Sequence, residues 1–327
     1  MGQESVRKVI VLATGGTISG RAAAAGDNIA YTAGLVGVAE LMAALPPRAG
    51  GPVELVGEQL AQVDSKDMDH GVWRQLAERC AYHLAQPAVQ GVVITHGTDT
   101  MEETAYFLHA LLGAAGAQAK PVVITGAMRP ASALSPDGPQ NMLDALAVAG
   151  HPGACGVVVA MAGKVFSAVE VQKVHPYRRD AFDACDGGVL GYVEEGRVRT
   201  VRTWPATDGY CLQQWPRGIA DTPWPRVEII VSHAGAGGAL VDALLADGSA
   251  GTDPLRGLVV AGTGNGTVHR ALELALQRAQ QRGVVVVRAT RCSQGRVLPT
   301  GADLIDDSQG LSPVKARIRM MLSLMTP

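Results

Sequence analysis

Short runs of β-branched and aliphatic residues, closed off by glycine and alternating with helix-period segments, narrow most sharply what this chain can fold into. Val9-Ile10-Val11-Leu12, Val92-Val93-Ile94, Val122-Val123-Ile124 and Val157-Val158-Val159 form one series. Val227 to Val231, Leu258-Val259-Val260 and Val284 to Val287 form a second. A strand with water on one face alternates polar and apolar residues, whereas a run with no polar position is buried on both faces, as in a parallel sheet covered by helices. Helical spacing fills the gaps, over Val38 to Leu45, Met68 to Leu84, Thr100 to Leu112, Gly138 to Ala149, Ala239 to Leu245 and Val268 to Gln281. The alternation predicts an α/β protein, with a larger N-terminal doubly wound sheet domain and a smaller C-terminal parallel-sheet α/β domain. Crossovers in such sheets are expected to be right-handed, with ligands gathering at the carboxyl ends of the strands.

A chain of 327 residues exceeds one ordinary core. From Thr203 to Pro225 the composition turns to Pro, Trp, Asp, Gly and Thr without a helical period, which predicts domains over 1–203 and 226–327 joined by a linker over 204–225. Leu190 to Val198 reads as a hairpin turning at Glu195-Gly196. Gly20 to Gly26, an alanine run between glycines, reads either as a short mobile flap or as a plain surface loop.

Composition then excludes function classes. A net charge of −2 offers no field to draw nucleic acid or an anionic membrane, and no apolar stretch has the length of a spanning helix, so a small-molecule client is expected. The segment Met1 to Lys8 is polar and lacks a leader pattern, which predicts a cytoplasmic protein, or a periplasmic one if a leader was removed. Five widely spaced cysteines without a C-x-x-C pair suit reduced thiols, and neither a metal nor a cofactor is expected.

Two motifs follow strands and carry hydroxyls. In Ala13-Thr14-Gly15-Gly16-Thr17-Ile18-Ser19 the glycines allow a tight turn that presents amide N–H groups beside Thr17; a phosphate-binding or purely structural βα turn has the same look. Thr95-His96-Gly97-Thr98-Asp99-Thr100 opens a helix, so Asp99 or Thr100 also reads as an N-cap, with Glu102 or Glu103 completing a capping box. His96 reads as a hydrogen-bonded structural histidine rather than a base. A threonine nucleophile needs a partner to take its proton, and no G-x-S-x-G or Walker pattern offers another chemistry. Lys173, in Glu170-Val171-Gln172-Lys173-Val174, is by its residues alone a solvated lysine or such a partner.

These two segments, with Thr125-Gly126-Ala127-Met128-Arg129-Pro130, Asp137-Gly138-Pro139, Asp64-Ser65-Lys66-Asp67-Met68 and Gly262-Thr263-Gly264-Asn265-Gly266 in the same order, resemble the bacterial L-asparaginases, type II above all. The resemblance spans nearly the whole chain. It implies hydrolysis of asparagine to aspartate and ammonia through a threonine nucleophile and an acyl-enzyme, with room for minor glutaminase activity. It implies Thr17 as nucleophile beside Tyr31, and Thr98, Asp99 and Lys173 as a second cluster in which lysine and aspartate position and polarise the threonine. Backbone N–H groups near Gly16 and Thr98 are expected at the oxyanion, Ser65 and Asp99 at the substrate's α-carboxylate and α-ammonium, and the Ala127 carbonyl at its amide. Asn265 is implied to reach the site from a neighbouring subunit of a homotetramer built of intimate dimers.

The chain departs from that pattern at Lys66, where relatives carry glutamine or another non-cationic group; a lysine there is expected to repel the substrate's α-ammonium, unless it pairs with the α-carboxylate or points into solvent. Asp303 is the nearest match to the acidic residue that approaches the tyrosine from the neighbouring subunit, and the Ser308 to Ser312 segment is short. The cysteines do not match the family's periplasmic disulfide. Rival readings are a tRNA-dependent amidotransferase subunit of the same fold and a non-catalytic binding protein.

Overall fold

A computed structural model describes residues 7–24, 26–46, 53–112, 120–205, 222–250, 253–301 and 304–325. It divides into two compact units, Met1–Trp215 and Pro216–Pro327. Most of the expected linker lies outside the described residues.

In the first unit β1 (Lys8–Gly15) is followed by the two-residue strands β2 (Arg21–Ala22) and β3 (Tyr31–Thr32). Next come α1 (Val38–Ala43), β4 (Glu54–Val63), α2 (His70–Leu84), β5 (Val89–Thr95), α3 (Met101–Leu112), β6 (Pro121–Thr125), α4 (Gly138–Ala149) and β7 (Gly156–Met161). The remainder is antiparallel: β8 (Lys164–Ser167), the small hairpin β9 (Gln172–Lys173) and β10 (Phe182–Asp183), then β11 (Gly191–Glu194) and β12 (Arg197–Thr200). The main sheet has the order β12-β11-β8-β7-β6-β5-β1-β4, with β7 to β4 parallel. The expected parallel sheet is therefore extended by an antiparallel wing. The turn predicted at Glu195-Gly196 joins β11 to β12 with both residues at positive φ, 48° and 71°, as a two-residue hairpin matching strand twist requires.

Strand identity follows from burial. Val9 to Ala13 are at most 3% exposed, as are Val92 to Ile94 and Val122 to Ile124, so neither face of these strands meets water. Val9, Val11, Val93, Val123 and Val158 share one face, covered by α1 (Val38, Leu41, Met42) and α4 (Met142, Ala145, Leu146). On the opposite face α2 packs on α3, with Trp73 stacked on Phe107 at 4.9 Å. α2 begins at His70 rather than Met68 because Asp69 caps it, its carboxylate accepting the Val72 N–H at 2.8 Å.

This helix placement corrects the expectation of handedness. The connections β5-α3-β6 and β6-α4-β7 step across the sheet in the same direction, yet α3 and α4 lie on opposite faces. Two such crossovers have opposite hands. The β1-α1-β4 and β4-α2-β5 connections agree with α3, so α4 is the left-handed exception to a rule that holds in about 98% of cases. The exception has a local purpose: it brings the N-terminus of α4 against the loop after β1, where a Cβ on Gly138 would stand 2.8 Å from Ile18 Cγ1.

The second unit holds a parallel sheet of β13 (Arg226–Val231), β14 (Leu255–Gly262), β15 (Val285–Thr290) and the short β16 (Asp306–Asp307). α5 (Ala239–Ala250) and α6 (Arg270–Gln281) cover one face through Val241, Leu245, Leu272 and Leu276. α7 (Pro313–Met325), which the sequence reading did not anticipate, packs on β13, β14 and β15. Among the described residues no helix is long and apolar enough to cross a membrane.

Candidate active site

In the first sheet the chain starts at β1, steps out to β4, then returns across β1 to lay down β5. That reversal separates the loops after β1 and β5, and it is where an open α/β sheet forms a crevice. Both threonine motifs leave the sheet there. Gly15 and Gly16 have φ of 108° and 81°, in the left-handed region that a side chain resists. A Cβ on Gly16 would lie 2.2 Å from Gly97 Cα, and one on Gly97 would lie 2.4 Å from Ser65 Oγ. The two loops thus touch backbone to backbone, and Thr14 Oγ1 donates to the Thr95 carbonyl at 3.0 Å to fix them.

Thr17 opens a single 3-10 turn, is 7% exposed, and its Oγ1 lies 2.6 Å from the Tyr31 hydroxyl. Tyr31 arrives on β3, which pairs antiparallel with β2. Arg21 and Ala22, within the expected Gly20 to Gly26 loop, therefore form the first arm of a small hairpin that carries Tyr31. Its base is pinned by Ala22 N–H on Ser132 Oγ (2.8 Å) and by an Arg21–Glu40 ion pair. Gly20 is required here, because a Cβ would sit 2.7 Å from the tyrosine ring. Burial raises the Tyr31 pKa above its ordinary value, and the Asp64 and Asp99 charges raise it further against the opposing Thr17 hydrogen bond. Tyr31 is therefore a neutral hydroxyl at neutral pH.

The second cluster assembles residues far apart in sequence. Lys173, on β9, donates from Nζ to Thr98 Oγ1 at 3.0 Å and to Asp99 Oδ1 at 2.5 Å. Its side chain is 15% exposed and that of Asp99 56%. Ser65 sits in a 3-10 turn whose N-cap is Asp64. Ser65 Oγ accepts the Asp99 N–H at 3.1 Å, and Thr100 donates its hydroxyl to the Ser65 carbonyl at 2.7 Å. The Thr100 hydroxyl thus ties the β4 and β5 loops together.

Gly16 N–H is spent on the Val63 carbonyl at 2.9 Å. The N–H groups of Thr17, next to Gly16, and of Thr98 take no hydrogen-bond partner among the described residues. His96 is fully buried. Trp73 Nε1 can only donate, so Thr104 Oγ1 accepts it at 2.8 Å and passes its own proton to His96 Nε2 at 2.9 Å. That leaves Nδ1–H to donate to the Gly97 carbonyl at 2.6 Å. Burial pushes the His96 pKa down to about 4, which keeps the ring neutral and bracing the loop.

Ala127 follows β6, whose Thr125 pairs with Thr95 of β5. It is fully buried, and its carbonyl receives no hydrogen bond among the described residues. An unmet buried acceptor costs about 1–3 kcal/mol, which a bound donor offsets. Asp64, whose charge acts on Tyr31, and Asn141, which holds the Ala127 loop, were not singled out from the sequence; their acidic and amide side chains carry no signal apart from the loops they meet. Among the described residues no group of three His, Cys, Asp or Glu is arranged to hold a metal.

Comparison with known proteins decides the family. The model described as "Asparaginase, N-terminal" matches residues 8–206, and "Glutaminase/Asparaginase C-terminal domain" matches 226–326. This chain belongs to the asparaginase family. It is 36% identical to L-asparaginase 2 of Bacillus subtilis (strain 168), covering 98% of this chain and 84% of that protein. It is 35% identical to the glutaminase-asparaginase of Pseudomonas fluorescens biotype A, over 97% and 86%. The crystal structure of a probable cytoplasmic L-asparaginase from Campylobacter jejuni superposes with a TM-score of 0.87 at 35% identity, covering 98% and 96%.

The resemblance also named Asn265, Asp303 and Lys66. Asn265 belongs to the second unit, where its Nδ2 donates to the Leu298 carbonyl at 2.9 Å and its Oδ1 accepts the Leu298 N–H at 2.8 Å. Asp303 lies outside the described residues. The Lys66 ammonium rests on the Asp67 carboxylate, and the two side chains are 62% and 64% exposed. This hydrogen bond raises its pKa first of all. A lysine ion-paired to its neighbour and screened by water is expected to exert little force on a substrate ammonium. Lys66→Gln is accordingly expected to change KM for asparagine by less than about twofold, measured at low and moderate salt. A KM several-fold lower would reinstate repulsion, and a several-fold rise would show pairing with the α-carboxylate.

Proposed function

We propose that this protein hydrolyses L-asparagine to L-aspartate and ammonia, with Thr17 as nucleophile and no cofactor. The observation that carries the reading is the meeting of two hydroxyl clusters, Thr17 with Tyr31 and Thr98 with Lys173 and Asp99, across the Gly16–Gly97 contact. Thr17 Oγ1 attacks the side-chain amide carbon while its proton passes to the Tyr31 hydroxyl oxygen and the tyrosine gives its own proton to the substrate's amide nitrogen, so Tyr31 stays neutral throughout. The unpartnered N–H groups of Thr17 and Thr98 receive the oxyanion, where a single fixed donor is worth about 10²–10³ in rate. The C–N bond then breaks, and the nitrogen leaves as ammonia with that proton. Water opens the resulting ester to aspartate and restores the Thr17 hydroxyl. Ser65 and Asp99 hold the α-carboxylate and α-ammonium.

The same reading assigns a homotetramer, with Asn265 and Asp303 completing a neighbouring subunit's site, and a cytoplasmic location. The family resemblance supports the assembly, and the name of the Campylobacter jejuni relative supports the location. The test is ammonia release from purified protein on addition of asparagine, run beside glutamine. No ammonia from asparagine would end the proposal. Selectivity between the amides rests on one methylene, about 1–3 kcal/mol, so minor glutaminase turnover is expected.

A further inference from the structure

The loop after β6 is held by the first turn of α4. Asp137 accepts the Met128 N–H on Oδ2 at 3.0 Å and the Arg129 N–H on Oδ1 at 2.9 Å. One turn on, Asn141 donates from Nδ2 to the Gly126 carbonyl at 2.9 Å and to Asp137 Oδ2 at 3.3 Å. Its Oδ1 accepts the Ala162 N–H at 3.0 Å, in the β7–β8 turn, where Ala162 has the strained φ of 51°. Asp137 and Asn141 are 9% and 2% exposed, so these contacts face little competition from water. Arg129 Nη1 takes up the Met128 carbonyl at 3.1 Å. Each of the three peptide groups between Gly126 and Arg129 is thereby held at one atom or more, while the Ala127 carbonyl is left over among the described residues.

We infer that Asp137 and Asn141 are positioning residues that fix the Ala127 carbonyl to accept the N–H of the scissile amide, and so select amides over esters. Residues at i and i+4 lie one above the other on a helix, which is why one turn of α4 can grip three successive peptide groups of the loop. The left-handed crossover matters here, since it sets this helix end over the crevice. The inference rests on the proposed asparagine hydrolysis. It adds that discrimination at the leaving group is built from α4 rather than from the threonine loops.

The test compares two substrates of the same Thr17 attack. Asparagine has an amide N–H for the Ala127 carbonyl, and L-aspartate β-methyl ester has none. In Asn141→Ala, kcat/KM for asparagine should fall at least about tenfold further than kcat/KM for the ester, the worth of one well-placed hydrogen bond. Asp137→Asn, which weakens the hold on two N–H groups while keeping the side chain's shape, should show the same bias more weakly, and it carries the test if Asn141→Ala does not fold. Circular dichroism establishes which variants are folded. Equal losses on both substrates, or an unchanged asparagine rate in a folded variant, would overturn the inference while leaving the proposed function standing. A wild-type protein that opens neither substrate would instead overturn the proposed function.

Discussion

Thr17→Ala should leave a folded protein that binds asparagine but turns it over slower by about 10⁴-fold or more, the scale seen when a nucleophile acting within a catalytic unit is removed. Among the described residues the hydroxyl lost makes one hydrogen bond, to Tyr31 at 2.6 Å. Its loss costs roughly 0.5–1.5 kcal/mol of stability, a Tm decrease of a few degrees for a unit of this size. The groups assigned to the α-carboxylate and α-ammonium, Ser65 and Asp99, lie on other loops and keep their hydrogen bond to each other. Binding by isothermal titration should therefore change little while ammonia release collapses. Thr17→Ser keeps the oxygen and should recover a measurable part of the rate. Near-normal turnover in Thr17→Ala would move the nucleophile to Thr98, whose hydroxyl lies across the Gly16–Gly97 contact.

The parts of this molecule that could be read from its residues are those in which local chemistry and final environment agree. β1, β5, β6 and β7 are buried on both faces and their sequences say so. β4 runs at the edge as Glu54-Leu55-Val56-Gly57-Glu58-Gln59-Leu60-Ala61-Gln62-Val63, partly exposed along its length, and its polar positions hid it. α7 was hidden for a different reason: Lys315, Arg317 and Arg319 interrupt its apolar face, yet Lys315 is fully buried. Nothing in the residues of α4 announces a left-handed crossover, because hand is decided by which face a helix covers. Thr17 and Thr98 were legible because glycine turns after strands mark a crevice. Tyr31 and Lys173 carried no such mark and came from family resemblance, since their meaning lies in contacts 14 and 75 residues distant. Lys66 shows the limit of matching by position, for its ion pair with the adjacent Asp67 could not be read from the match.

Removing the Lys173 ammonium, as in Lys173→Met, should lower kcat by about 10²–10⁴, the range for a group that assists proton transfer from a fixed position. The ammonium donates to Thr98 Oγ1 and to Asp99 Oδ1, so it fills a lone pair of the threonine and leaves that hydroxyl's own proton free to be given away. Without it, Thr98 can turn its proton inward to the Asp99 carboxylate and is lost as a donor. Methionine has nearly the length of the lysine stem and fills the same part-buried space, so packing should survive and the change should lie in the chemistry. Lys173→Arg should not restore the rate, because a planar guanidinium cannot place one point charge between two oxygens on adjacent residues. Because Lys173 and Thr98 act through one hydrogen bond, Lys173→Met combined with Thr98→Ala should lose no more than the worse single variant, which kcat measurements on all three proteins will check. If the double variant's loss instead equals the product of the single losses, the two residues serve separate steps. A near-normal kcat in Lys173→Met would make β9 a structural strand and leave Thr98 to Asp99 alone.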